Sequence, residues 1–134
     1  MAHTVRKVTA VSAQVDDRIG VLAELANALR DANLNMRAVV SQRKAGTVLM
    51  GVPDDLAAAR SLAAYNGIVV QEREVLLIEG DDEVGALCPI ANKLASARIN
   101  IEDVYALATE GKYAAVLTFA AEDVGRAAEV LGAQ

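Results

Sequence analysis

The chain repeats itself at an offset of 65 residues, and this repeat constrains its fold more than any other feature. Residues 15–22 match residues 80–87, and the match continues through the residues that follow without a gap. Two Ala-rich helices can share Ala and Leu by chance, but chance does not place Asp, Gly and Asn at the same turns. We therefore predict a duplicated structural unit. The identical pairs include Asp17/Asp82, Gly20/Gly85, Asn27/Asn92, Asn35/Asn100 and Gly46/Gly111.

Each copy predicts the same order of secondary-structure elements. Residues rich in β-branched side chains favour a strand at the start of each copy. Leu22, Leu25 and Leu29 recur at helical spacing and predict an amphipathic helix. In the first copy we predict strands over residues 8–15, 36–42, 47–52 and 68–70, helices over 21–32 and 56–64, and a turn at 44–46. In the second copy we predict strands over residues 75–79, 100–108 and 112–119, with one helix through Leu87, Ile90 and Leu94 and a last helix around Val124, Ala127 and Leu131.

This order of elements predicts an α+β fold. Two ferredoxin-like βαββαβ units in tandem, over residues 1–72 and 73–134, would each have an antiparallel sheet with its helices on one face. The second unit lacks a clear fourth strand after its last helix, so it is truncated or borrows an edge from elsewhere. Small units that expose sheet edges favour self-association, and we expect a homodimer.

Charge and composition exclude several classes of partner. The net charge of −5 and the pI near 4.8 oppose binding to nucleic acid or to an anionic membrane surface. No apolar run approaches the roughly 20 residues that span a bilayer. A single cysteine, Cys88, closes no intramolecular disulfide, and we expect it to be a small buried apolar residue. We expect a cytoplasmic protein.

Two segments resemble the signature of the ACT domain, a small-molecule-sensing module of amino-acid metabolism. They are Asp17-Arg18-Ile19-Gly20-Val21-Leu22 and Asn33-Leu34-Asn35-Met36, and the second copy resembles the family more closely still. The resemblance implies a pocket where the loop of one unit meets the second-strand entrance of a neighbouring unit. It implies ligand contacts from Asp17, Arg18, Ile19, Gly20, Val21, Leu22, Asn35 and Met36, and from Asp82, Gly85, Asn100 and Ile101. The chain departs from the family at Ile19 and Val84, where proline is usual, and at Pro89, which stands inside the expected helix.

The chemistry of the two glycine turns supports the same kind of ligand. A strand that turns at glycine into a helix exposes backbone N–H groups that suit a carboxylate. The acidic residues beside these turns would repel a simple anion, whereas the ammonium group of an amino acid would meet them favourably. We expect the Gly20 turn to be the better site, because Arg18 offsets its acidic neighbours. The second turn carries Asp81, Asp82 and Glu83 with no nearby cation in the sequence.

Each candidate residue also has a structural alternative. The glycines serve turn conformation in either case. Asp17 and Asp82 are alternatively helix N-caps. Asn35 and Asn100 alternatively end the preceding helices in the left-handed conformation.

A catalytic role is not supported by the residue types present. With one His and one Cys, the chain offers no nucleophile–base pair, no metal-ligand spacing and no cofactor motif. The first hypothesis is a non-catalytic ligand sensor that binds an amino acid or a similar zwitterion. The alternative is an interaction subunit that regulates an amino-acid enzyme and has a vestigial pocket.

Overall fold

The computed structural model describes residues 3–43 and 47–134, and the predicted turn at 44–46 lies outside them. Within these ranges the predicted order of elements is confirmed, except that the strands predicted over residues 68–70 and 75–79 form one continuous strand. The strands are β1 (His3–Val15), β2 (Met36–Arg43), β3 (Thr47–Pro53), β4 (Val70–Asp81), β5 (Asp103–Thr109) and β6 (Lys112–Thr118), and the helices are α1 (Val21–Asp31), α2 (Leu56–Tyr65), α3 (Cys88–Ser96) and α4 (Val124–Leu131). No described helix is both long enough and apolar enough to cross a membrane.

The chain forms two compact units. The central unit comprises Thr9–Arg73, and the terminal unit comprises the described part of Met1–Val8 together with Glu74–Gln134. Strands β1 and β4 are long and contribute residues to both units. The strand order is β2-β3-β1-β4 in the central unit and β1-β4-β6-β5 in the terminal unit, which is the ferredoxin-like arrangement in each case. The predicted α+β class with antiparallel sheets is confirmed.

The fourth strand of the terminal unit comes from the start of the chain. Residues 132–134, which follow α4, contain no strand, and the first residues of β1 lie beside β4 instead. Val5 is buried in the core of this unit, and its carbonyl accepts a hydrogen bond from the Gln134 N–H at 3.0 Å. Arg6 pairs with Glu79 on the neighbouring strand. The division at residues 72 and 73 stays a prediction, and the contacts add that residues 3–8 pack with the second copy.

Matched turns show that the repeat is structural. Asn33 and Arg98 end their helices with φ angles of 54° and 58°. The next residues, Leu34 and Ile99, each donate a backbone hydrogen bond at 2.9 Å to the carbonyl five residues back. The positions identified by the 65-residue offset therefore adopt the same local conformation.

The match without a gap is wrong at the hairpins. Arg43 pairs with Thr47 around residues 44–46, whereas Thr109 pairs with Lys112 around the two-residue turn Glu110-Gly111. Both of these turn residues have positive φ, 52° and 76°, as a tight type I′ hairpin requires. The strand pairing in the second hairpin is thus displaced by one residue. Each residue of β3 corresponds to a residue of β6 that lies one position later than the 65-residue offset predicts.

The two units differ in how well their cores are packed. The terminal unit has one apolar cluster that includes Leu76, Ile78, Ile90, Leu94 and Phe119, each no more than 2% exposed. The fully buried apolar residues of the central unit are small or few: Ala10, Leu34, Val52, Ala59 and Ala63. This difference in packing determines where a small molecule can enter.

Candidate functional site

The turn between β1 and α1 is built on Gly20. This residue is the N-cap of α1, with φ of 89° and no side-chain cap bond. The alternative interpretation of Asp17 as the N-cap is therefore wrong. The N–H groups of a first helical turn have no intrahelical acceptor. The Val21 N–H donates to the Arg18 carbonyl at 3.4 Å, which leaves the next two N–H groups of this turn, those of Leu22 and Ala23, for an anion. Ile19, at the tip, is fully exposed.

Ion pairs surround this turn and differ from those that the sequence suggested. Arg18 donates to both carboxylate oxygens of Glu24, at 3.0 and 2.5 Å. This paired hydrogen bond raises the pKa of Arg18 and lowers the pKa of Glu24, and the charge of Asp16 also raises the pKa of Arg18. Asp17 pairs with Arg43 instead, at 2.6 Å between Oδ2 and Nε. The cation that offsets Asp17 is thus supplied by β2.

A cavity of about 580 Å³ lies within the central unit, lined by both helices and by all four strands. Its size falls in the range of small-molecule sites, roughly 300–1,000 Å³. Most of its lining is aliphatic, including Leu25, Leu29 and Met50. The β1–α1 turn adds the charged side chains of Asp16 and Arg18, and the first turn of α1 adds that of Glu24. The cavity therefore combines an apolar interior with charged groups of both signs.

The first-copy candidates lie in three places. Arg18, Val21, Leu22 and Met36 line the cavity, and Asp17, Ile19 and Gly20 belong to the adjoining turn. Asn35 is exposed, and its backbone carbonyl accepts a hydrogen bond from the Asp54 N–H at 3.0 Å. The alternative role of Asn35 as a left-handed helix end is wrong, because Asn33 has that conformation.

In the second copy, N–H groups of the glycine turn donate hydrogen bonds to carbonyl groups of the same turn. Gly85 has φ of 73°, but the Ala86 and Cys88 N–H groups donate to the Glu83 and Gly85 carbonyls at 3.0 and 2.9 Å. Helix α3 begins only at Cys88, so Pro89 stands in its first turn, where a missing N–H costs nothing. The expectation that Pro89 stands inside the helix is wrong, because the helix begins one residue before it. The N–H groups expected to meet a carboxylate are used by the turn.

Other residues of the second copy also depart from expectation. Lys112 pairs with Asp81 and lowers its pKa, so a cation does lie near this turn. The backbone N–H of Asp82 donates to the Gly111 carbonyl at 2.8 Å, and Leu87 is the N-cap of α3, so the N-cap alternative for Asp82 is wrong.

The last two second-copy candidates, and the lone cysteine, lie in different surroundings. Asn100 is exposed, and the left-handed helix end belongs to Arg98, so that alternative is wrong as well. Ile101 packs against the core of the terminal unit. Cys88 is exposed, with its sulfur 3.3 Å from Asn92 Nδ2, and not buried as expected.

Sequence reasoning missed two cavity residues, Asn66 and Glu24, and the repeat could have revealed the first of them. Asn66 lines the cavity, and its repeat partner is Leu131, a buried core residue of the terminal unit. A polar side chain at the position of a core leucine indicates a site that is not simply packed. Glu24 carries no such sign, because its bond to Arg18 depends on the turn at Gly20.

No family model and no curated protein matches the chain. Solved structures do match it. A protein from Bacteroides thetaiotaomicron is 23% identical with a TM-score of 0.84, covering 96% of this chain and 88% of its own. The aspartokinase alpha and beta subunits are 18% identical with a TM-score of 0.67, covering 98% and 95%. The ligand-free regulatory subunit of aspartate kinase from Thermus thermophilus is 14% identical with a TM-score of 0.64, covering 98% and 96%. The resemblance to tandem ACT-domain proteins is confirmed for the fold.

Proposed function

We propose that the chain is a non-catalytic regulatory protein that binds an amino acid or a similar zwitterion in its central unit. The observation that carries this proposal is the cavity beneath α1, which continues to the Gly20 turn. The fold of the chain is similar to that of a regulatory subunit of aspartate kinase, which supports a regulatory role. The terminal unit fills the corresponding space with its own side chains, so we assign the ligand to the central unit alone.

The charged end of the cavity suits a zwitterion. The ligand carboxylate would meet Arg18 and the N–H groups of the first turn of α1, while its ammonium group would face Asp16 and Glu24. Arg18 and Glu24 are 49% and 63% exposed, and an exposed ion pair of this kind contributes little stability. Replacement of the Arg18–Glu24 hydrogen bonds by hydrogen bonds to a ligand therefore costs little free energy. Asn35 and Asn100 stay proposed amide partners of a neighbouring unit.

The alternative function, an interaction subunit of an amino-acid enzyme, has one observation in its favour. Strands β2 and β5 are edge strands, and β5 exposes the apolar residues Val104 and Leu107. Exposed apolar residues on edge strands favour pairing with another chain. We propose a cytoplasmic homodimer as the simplest use of these edges, and an enzyme partner as the alternative.

A thermal-shift screen against the common amino acids tests the proposed function. A ligand present at 100 times its dissociation constant should add about 2.7 kcal/mol to the free energy of unfolding. A rise in melting temperature with at least one amino acid is expected for the purified chain alone. Co-purification with an enzyme, without a shift for any amino acid, would favour the alternative.

Matched glycine variants then locate the binding site. Gly20 and Gly85 both have positive φ, so alanine should strain each turn by a similar amount, about 1–2 kcal/mol. We expect Gly20→Ala to weaken amino-acid binding at least tenfold by calorimetry, because it displaces the donors of α1. Gly85→Ala should bind as the wild type does. Loss of binding in Gly85→Ala with none in Gly20→Ala would place the ligand in the other copy.

A further inference from the structure

Equivalent positions on α1 and α3 differ in burial, although their side chains are similar. Leu25 and Leu29 of α1 match Ile90 and Leu94 of α3. Ile90 and Leu94 are 2% and 0% exposed, whereas α1 has no buried residue. Helix α1 therefore carries an apolar stripe that its own unit covers only in part, because Leu25 and Leu29 are half-buried.

The strands beneath α1 lack the side-chain volume that would fill the space. Val11 and Gly51 are paired across β1 and β3, at the place where Leu76 and Leu117 are paired in the terminal unit. Ala13 occupies the position of Ile78. All three smaller residues line the cavity, and their three larger counterparts are at most 2% exposed. Aliphatic volume is thus missing from this sheet, although Met36 fills part of the space at Gly51, where an added Cβ would lie 3.0 Å from the Met36 sulfur.

Helix α2 also has smaller side chains than its counterpart α4. The 65-residue offset holds again at the ends of α2 and α4, because Gly67 and Gly132 both have positive φ and the residues after them each donate to the carbonyl five residues back. Ala59 and Asn66 line the cavity, and by this offset they match Val124 and Leu131, which are core residues of α4. Asn66 donates from Nδ2 to the Leu62 carbonyl at 2.8 Å, and an amide also carries an acceptor oxygen. Smaller and more polar residues therefore replace a packed core on both the helical side and the sheet side.

We propose that the cavity accepts the side chain of an amino acid that has a large apolar side chain, such as leucine. This inference rests on the proposed function and names its ligand class. The ligand side chain takes the place of the missing Leu and Ile volume and contacts Leu25 and Leu29. Because the half-buried apolar stripe of α1 is fully covered only when the cavity is filled, ligand binding also fixes α1 on its sheet.

Selectivity among amino acids follows from buried apolar surface. Each buried methylene contributes about 0.8 kcal/mol, which corresponds to about fourfold in affinity. Leucine has three more carbons than alanine, so we expect leucine to bind about 50-fold more tightly. Aspartate, whose second carboxylate would be desolvated in the aliphatic interior, should bind more weakly than leucine.

Calorimetric titration of leucine, alanine and aspartate tests the inference, with a variant that fills the cavity. Ala13→Ile copies Ile78 into the central unit. It should weaken leucine binding at least tenfold and change alanine binding by no more than about twofold. Val69→Ile is the control, because Val69 is 87% exposed and the cavity lining does not include it. Leucine should bind this control as it binds the wild type.

Failures of this inference and of the proposed function have different signatures. If aspartate binds more tightly than leucine, or if Ala13→Ile binds leucine as well as the wild type, the ligand class is wrong and amino-acid binding stands. If no amino acid binds to the wild type, both proposals are wrong. Should Ala13→Ile fail to fold, Val11→Leu copies Leu76 at the neighbouring inward position and makes the same test.

Discussion

Replacement of Val5 by Asp should destabilise the terminal unit by more than about 3 kcal/mol, because it places a carboxylate where the core has no partner for it. Val5 is 5% exposed and packs with the apolar cluster that includes Leu76 and Phe119. The variant tests whether the first residues of β1 complete a unit whose other residues begin at Glu74. Urea unfolding and amide hydrogen exchange in β4 and β6 provide the measurements.

Thr4→Asp is the matched control for this variant. Thr4 is the preceding residue of the same strand and is exposed, so Asp carries the same cost in strand propensity without burial of charge. Its unfolding free energy should stay within about 1 kcal/mol of the wild type. Equal destabilisation by the two substitutions would contradict the assignment of residues 3–8 to the terminal core.

Truncation of equivalent leucines should have very unequal costs in the two units. Leu94→Ala removes a side chain that is 0% exposed, and the expected loss is about 2–5 kcal/mol. Leu29→Ala removes the repeat partner, which lies at the open cavity, so the loss without ligand should be less than about 1.5 kcal/mol. Denaturant unfolding of both variants, in the absence of amino acids, measures the difference. Similar costs would show that α1 packs as tightly as α3.

Most of the architecture was predictable because its signals are local. The positive φ of Gly20 and of Gly85 follows from their place between a strand and a helix, and the amphipathic stripe of α1 is visible in Leu22, Leu25 and Leu29. The side chain of Asp55 accepts from the Ala58 N–H at 3.0 Å and begins α2, as the sequence indicated. Each of these features depends on residues only a few positions apart.

Features that depend on distant residues were not predictable in the same way. The source of the fourth strand of the terminal unit required the contact of Val5 with residues more than 70 positions away. The pairing of Asp81 with Lys112 required the register of β4 on β6, and that register differs from its counterpart by one residue because the hairpin turns differ.

The cavity was predictable from the sequence only in part. Helical periodicity identifies which face of α1 is apolar, but Leu25 and Leu29 carry no sign that they are less buried than Ile90 and Leu94. The sign lies in the residues opposite them, where Gly51 and Ala13 replace Leu117 and Ile78. Only the strand register shows that Gly51 stands where the other copy has Leu117. The sequence alone therefore indicated the turn at Gly20 but not the cavity beside it.

The methionine methyl groups provide the most direct measurement of ligand binding in the central unit. The chain has three methionines, and two of them, Met36 and Met50, line the cavity. Methyl-labelled protein would be titrated with leucine by NMR, with the two signals assigned through Met36→Leu and Met50→Leu. The buried δ-methyl groups of Ile78 and Ile90 in the terminal unit serve as internal controls. We predict that both methionine signals shift and saturate together, while the isoleucine signals stay in place. Saturable shifts confined to the isoleucine signals, or no shift with any amino acid, would contradict amino-acid binding in the central unit.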